Sequence, residues 1–417
     1  MKNSIRFDLS DYLIHFFRDV DLGGDSGIVF PEHMGWNNVF EDEQLPAYFL
    51  LRAALRTGRL WSTWSYRGGR RTVFGPDPAV CFTEMPVAAF LEAGKTRRAN
   101  GEAMSPLAFA FPKGALQRLG ARAAIYGLSA DVALPNGDDG QERLLPDWAL
   151  PSHEQYRYVT HFIEDSKVVD WMHEREWRWP YRSRSKGHQD PGRTISEWSD
   201  IPGLDFYLKK IEGIGVIVET RRQANLVLHD ILMLIDRKLA SHSTFGFVLV
   251  SDNLPSPNSI QGRVQLKNEL EKSMVNLNRF YSLSHSQYTY YVDSFAKLVA
   301  RVEATTAYKT DRDYGGCWLW LHDNRADLTR ALLQAGRVVV TKEGHYLASL
   351  HEFSDYRGLR QREMMTTQLA ELVFRQFNVP CCFYSVSQSD NPEDAPSYAG
   401  QHDRDISFYN TAYREHA

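Results

Sequence analysis

The stretch Ser251-Asp252-Asn253-Leu254-Pro255-Ser256-Pro257-Asn258-Ser259 interrupts the patterning of this chain with two prolines among small polar residues. Proline removes a backbone donor and disfavours helix at the residue before it, so neither a helix nor a central strand runs through such a segment. A chain of 417 residues also exceeds what one hydrophobic core ordinarily holds. Together these predict two domains, residues 1–255 and 256–417, both mixing strands with helices in the α+β class.

Hydrophobic residues at 43% and charged residues at 24% supply enough apolar surface for two cores. A formal net charge of -4 gives no general attraction to nucleic acid or anionic membrane. Cys81, Cys317, Cys381 and Cys382 show no paired metal-ligand spacing, which favours reduced thiols. The chain opens without an apolar run of signal-peptide length, and no stretch of about 18 apolar residues follows. The expectation is a cytoplasmic protein with no membrane partner.

Apolar runs predict strands at 12–17, 80–83, 107–111, 123–126, 213–218 and 245–250, and helices at 45–59, 87–95 and 114–119. Thr220 is placed to cap a helix with an inner stripe of Ala224, Val227, Leu228, Ile231 and Ile235. Gly213 and Gly215 fall within a strand rather than in the turn after it, which excludes a dinucleotide-binding glycine fingerprint there. Residues 182–193 read as an exposed basic loop. Beyond the proline-rich stretch, 261–306 is largely helical by pattern, and 317–321 is an aromatic strand leading to a helix over 324–336. A hairpin over 338–350, a helix over 359–376 and a strand over 382–386 follow.

The chemistry concentrates in His173-Glu174-Arg175-Glu176-Trp177-Arg178-Trp179. If the whole run is a strand, Glu174 and Glu176 share one face, and their repulsion primes one of them to accept a proton. The plainer alternative is an edge strand whose acids pair with Arg175 and Arg178. Three further marks lie upstream: His15 in Ile14-His15-Phe16-Phe17-Arg18, the run Val80-Cys81-Phe82-Thr83-Glu84-Met85-Pro86, and the strand ending at Tyr126.

In order and content these four marks resemble a group of bacterial abortive-infection-associated proteins of the AbiGi type. There a near-N-terminal His-Phe strand, a Cys-Phe-Thr-Glu-x-Pro element and a Glu-x-Glu-Trp-Arg strand recur. The likeness covers about the first 220 residues. The same constellation resembles the mono-ADP-ribosyltransferase layout, which implies an ADP-ribosyltransferase-like N-terminal domain that binds NAD as substrate. The resemblance makes Glu176 the catalytic glutamate, with Glu174 as the acid two before it. Thr83 becomes the middle-strand hydroxyl, His15 or Arg18 the first-strand residue, and Tyr126 an aromatic contact. Phe82-Thr83-Glu84 stands where that layout has Ser-Thr-Ser, a departure at the ribose contact.

The implied function is a phage-defence or toxin effector that cleaves NAD and transfers ADP-ribose to a protein or nucleic-acid acceptor. A fixed carboxylate suits that reaction, because breaking the nicotinamide–ribose bond develops oxocarbenium-like positive charge. Arg18 or the Arg70-Arg71 pair would meet the pyrophosphate; Tyr126 or Trp177 would cover the nicotinamide ring. Each residue also has an ordinary role: His15 as a satisfied core histidine, Thr83 as a helix cap, Tyr126 and Trp177 as packing. Two other classes remain open, a metal-dependent nucleic-acid-processing enzyme using Glu174, Glu176 and Asp323, and a non-catalytic sensor. His322 and Asp323 admit a metal-ligand reading, against an aromatic strand ending in a helix cap.

Overall fold

The computed structural model describes residues 10–21, 44–67, 70–101, 104–129, 143–164, 167–182, 202–255, 263–309 and 313–396. They fall into two compact units. The first takes in the described residues up to Ala224 together with those of 243–275; the second takes in 225–242 together with those of 276–407. The chain passes between units more than once. Residues 263–275 belong with the first unit because Met274 and Val275 pair onto its sheet.

That sheet holds β1 (Tyr12–Phe16), β2 (Ala79–Thr83), β3 (Ala108–Pro112), β4 (Arg122–Ala123), β5 (Glu176–Pro180), β6 (Ile214–Val218), β7 (Phe245–Val250) and β8 (Met274–Val275). Their spatial order is β8-β7-β6-β3-β1-β2-β5-β4. The β6–β7 pair is parallel and its neighbours antiparallel, so the sheet is mixed. A parallel pair needs a crossover, and α4 (Arg221–Asp236) supplies it, after α1 (Ala47–Thr57), α2 (Val87–Ala99) and α3 (Lys113–Arg118). Thr220 caps α4 as its position predicts: its hydroxyl accepts the Gln223 N–H, and the Gln223 side chain accepts the Thr220 N–H.

The two faces of this sheet bury different residue types. Ile14, Ala108, Ala110, Ile217 and Leu249 pack with Phe90 and Leu91 of α2 on one face. On the other, Phe82, Phe109, Phe111 and Phe206 meet edge to face at centroid distances of 5.6–6.1 Å. Helix α1 ends at Gly58, whose φ of 69° is left-handed and where a Cβ would meet the Tyr207 ring, so glycine is needed there. The expected strand over 123–126 divides in two. Arg122–Ala123 edges the sheet, while Ile125–Tyr126 pairs in parallel with Tyr158–Val159.

The second unit contains β9 (Gly315–Leu321), β10 (Val338–Val340), β11 (Tyr346–Ala348) and β12 (Cys381–Ser387) as an antiparallel sheet of order β10-β11-β9-β12. Its helices include α6 (His285–Thr305), α7 (Asp327–Gln334) and α8 (Leu359–Phe377), whereas α5 (Arg263–Ser273) precedes β8 in the first unit. Helix α6 starts with a reciprocal cap between Ser284 and Gln287. A buried polar group ties this unit together: Arg330 donates to both oxygens of Asp236, at 2.6 and 3.0 Å, and Tyr346 donates to Asp236 at 2.7 Å. The expected run of helix over 261–306 is broken by β8 and a 3-10 turn over Leu277–Phe280, where apolar residues interrupt the polar helical pattern.

Candidate functional site

Strands β5, β2 and β1 lie side by side in the first unit, and between them they carry Glu176, Thr83 and His15. The β2–β5 ladder sets Glu176 opposite Thr83 and Arg178 opposite Cys81. Directly opposed residues share a face, and so do residues two apart. Glu176, Arg178, Thr83 and Cys81 therefore form one polar group on one face of the sheet.

Glu174 is not part of that strand face. It ends a 3-10 turn, Met172–Glu174, and Arg175 follows with φ 47° and ψ 51°, in the left-handed region. The strand begins only at Glu176. This corrects the expectation that the two acids alternate along one strand, because the left-handed residue between them breaks the period of two. Each acid has its own arginine: Arg97 donates to Glu174 at 2.9 Å, and Arg178 donates to the two oxygens of Glu176 at 2.8 and 3.2 Å. Of the pairings open in the sequence, Glu176 with Arg178 forms. Arg175 instead approaches Glu84 at 3.8 Å.

The Arg178 guanidinium is buried, and it donates further to the carbonyls of Tyr156 and Tyr158 at 2.8 and 3.2 Å. Glu176 is more open, with 14% of its side chain exposed against 5% for Arg178. A carboxylate has about four lone-pair positions. Arg178 takes two of them, which leaves capacity for a further donor. Burial, and then the charge of Glu176, pushes the Cys81 thiol far up, so it stays protonated and is a poor nucleophile.

Thr83 donates to the Glu174 carbonyl and accepts the Met85 N–H at 3.1 Å. It ties the turn before β5 to the end of β2. Pro86, not Thr83, stands at the N-cap of α2. Tyr126 accepts the Glu176 N–H at 2.8 Å, and burial leads the causes that push its phenol up to about 12. On the opposite face Glu84 accepts from the Trp177 indole at 2.7 Å and from Lys113 at 2.8 Å. Trp177 is thereby fixed to Glu84.

His15 stands apart from the carboxylate. Its Nδ1 bonds the Cys81 carbonyl at 2.9 Å, and its ring meets Phe17 and Phe82 on the aromatic face. The β1–β2 ladder records one register pair, Ile14 with Thr83, and beyond it the imidazole takes the carbonyl that a ladder N–H would occupy. Burial lowers its pKa, opposed by the Cys81 carbonyl, so the ring is held neutral. The structure thus gives His15 the satisfied-histidine role, adjacent to the polar face through the β2 backbone alone. Arg18 is exposed just past β1, and Arg71 is buried with its guanidinium 4.3 Å from the Trp64 ring centroid.

In the second unit Asp323 accepts the backbone N–H and the guanidinium of Arg325, each at 2.8–2.9 Å. It braces the turn before α7, whose N-cap is Ala326. Among the described residues, no three His, Cys, Asp or Glu side chains are grouped to hold a metal ion. Most of the expected basic loop at 182–193 lies outside the described residues. No described helix is long and apolar enough to cross a membrane.

Residues 283–411 match a family described as a protein of unknown function, DUF4427. No curated protein and no solved structure matches the chain.

Proposed function

We propose that the first unit has an ADP-ribosyltransferase-like fold and acts on NAD, cleaving the nicotinamide–ribose bond and passing ADP-ribose to a protein or nucleic-acid acceptor. The observation that carries this reading is the adjacency of β1, β2 and β5, with Glu176 opposite Thr83 at the start of β5. The resemblance to the mono-ADP-ribosyltransferase layout calls for first-, middle- and late-strand marks that line one cleft, and these marks lie far apart in the chain.

In this reading Glu176 stabilises the oxocarbenium-like centre and binds a ribose hydroxyl with a lone pair that Arg178 leaves open. Arg178 fixes the plane of the carboxylate through two N–H contacts, one to each oxygen. Glu174, on the turn before the strand, faces the incoming nucleophile and takes its proton; Arg97 orients it. Thr83 positions that turn. His15 acts by holding β1 to β2 rather than by touching substrate. The setting is phage defence or a toxin, as the resemblance implies.

The test is incubation of the full chain with NAD labelled in its adenylate portion, followed by separation of protein and nucleic acid from a cell extract. Label in either fraction, lost in Glu176→Gln, supports the reading and names the acceptor class. Absence of label from both fractions, with NAD left intact, overturns it.

A further inference from the structure

The aromatic face of the second unit's sheet carries a thiol and an imidazole in contact. The β9–β12 ladder pairs Trp320 with Cys382 and Leu321 with Cys381. Alternation then puts Cys382 on the face of Trp320 and Tyr384, and Cys381 on the face toward α8. His322 follows β9 by one residue and returns to the Trp320 face, where its Nε2 lies 3.3 Å from the Cys382 sulfur. Its ring packs 4.6 Å from that of Trp320, and His345 packs on the same indole at 4.4 Å. Both Cys382 and His322 are half-buried, so solvent reaches the pair.

The other three thiols are placed differently. Cys317 is buried against the Thr366 hydroxyl at 3.4 Å, and burial pushes its thiol up to about 11. Cys381 points to the Ala370 carbonyl at 3.6 Å; burial, and then the charge of Cys382, pushes it up to about 12. Cys81 lies opposite Arg178 in the first unit's sheet, and burial pushes its thiol far up. All four are free of disulfides.

We propose that Cys382, with His322 as its base, is the reactive thiol of this protein and exchanges with small-molecule disulfides. An imidazole within hydrogen-bond reach of a partly exposed thiol is the arrangement that activates sulfur as a nucleophile. The unprotonated Nε2 of His322 accepts the Sγ proton. The thiolate attacks one sulfur of the disulfide, whose S–S bond breaks as the Cys382 mixed disulfide forms. The departing thiolate takes the proton back from the imidazolium, so no further oxidant or reductant enters. Beside the pair stand His345, packed on the same indole, and Tyr384, on the same strand; Cys381 and Glu363 lie on the opposite face, toward α8. Glu363 is engaged by Ser385, and Tyr384 reaches the Pro392 carbonyl in the segment that bears Glu393 and Asp394.

The experiment is reaction of the full chain with the aromatic disulfide DTNB, with the modified cysteine identified by peptide mass. The expected result is one fast phase located at Cys382 and absent in Cys382→Ser, with His322→Gln about tenfold slower at pH 7. The wild-type rate is expected to reach half its maximum below the ordinary thiol value of about 8.5, a readout on unaltered protein. A fast phase at another cysteine, or a wild-type profile centred at the ordinary thiol value, overturns the proposal. So does an unchanged rate in a folded His322→Gln.

Discussion

At the scale of single residues, burial and charge pairing decide what each polar side chain of the first unit does. Arg178 is buried and donates to the Tyr156 and Tyr158 carbonyls and to Glu176. Its replacement by alanine leaves Glu176 without a countercharge and is expected to cost about 3–5 kcal/mol in denaturant unfolding. Arg97→Ala, at the more open Glu174 pair, is expected to cost under about 1 kcal/mol. His15 makes a pH-dependent contribution of fixed sign. Burial lowers its pKa in the folded state, so below about pH 6.5 the unfolded chain takes up a proton that the folded chain does not. Stability is therefore complete above that value and falls as the pH drops through it. The urea midpoint should fall between pH 7.5 and 5.5, with a smaller fall in His15→Gln; equal falls in both proteins would sink the assignment.

At the scale of elements, the strands were legible where a short apolar run sits between turn signals, as at Tyr12–Phe16, Ala79–Thr83 and Ile214–Val218. The β5 boundary was not. Arg175 adopts a left-handed conformation that its side chain does not announce, and that single residue separates two acids a strand would have joined. The contact of Arg97 with Glu174 spans 77 positions, and that of His322 with Cys382 spans 60. Such pairings depend on register and helix placement, which one sequence does not encode locally. The pair Glu176–Arg178, two residues apart on one strand, was within reach of pattern alone. Element packing also sets one glycine: a Cβ on Gly215 would lie 2.1 Å from the Phe247 ring. Gly215→Ala is expected to cost about 1–3 kcal/mol through overpacking between β6 and β7, measured by thermal unfolding.

At the scale of the whole molecule, each unit draws on separate lengths of chain. The expected division at residue 255 followed the prolines, which mark a turn but do not show which core the next strand joins; β8 pairs with β7 after it. In the second unit Arg330 needs Asp236, a residue well upstream of that turn. A fragment of residues 256–417 would keep the buried guanidinium without its carboxylate and is expected to lack a cooperative unfolding transition. A sharp transition in that fragment would contradict the role given to Asp236. The proposed NAD chemistry belongs to the first unit and rests on three neighbouring strands. Its most direct measurement is the initial rate of nicotinamide release from NAD by purified full chain, alongside Glu176→Gln with its folding checked by circular dichroism. Release by wild type and a fall of about 100-fold or more in a folded Glu176→Gln are expected; equal rates in the two proteins, or no release by either, would contradict the proposed chemistry.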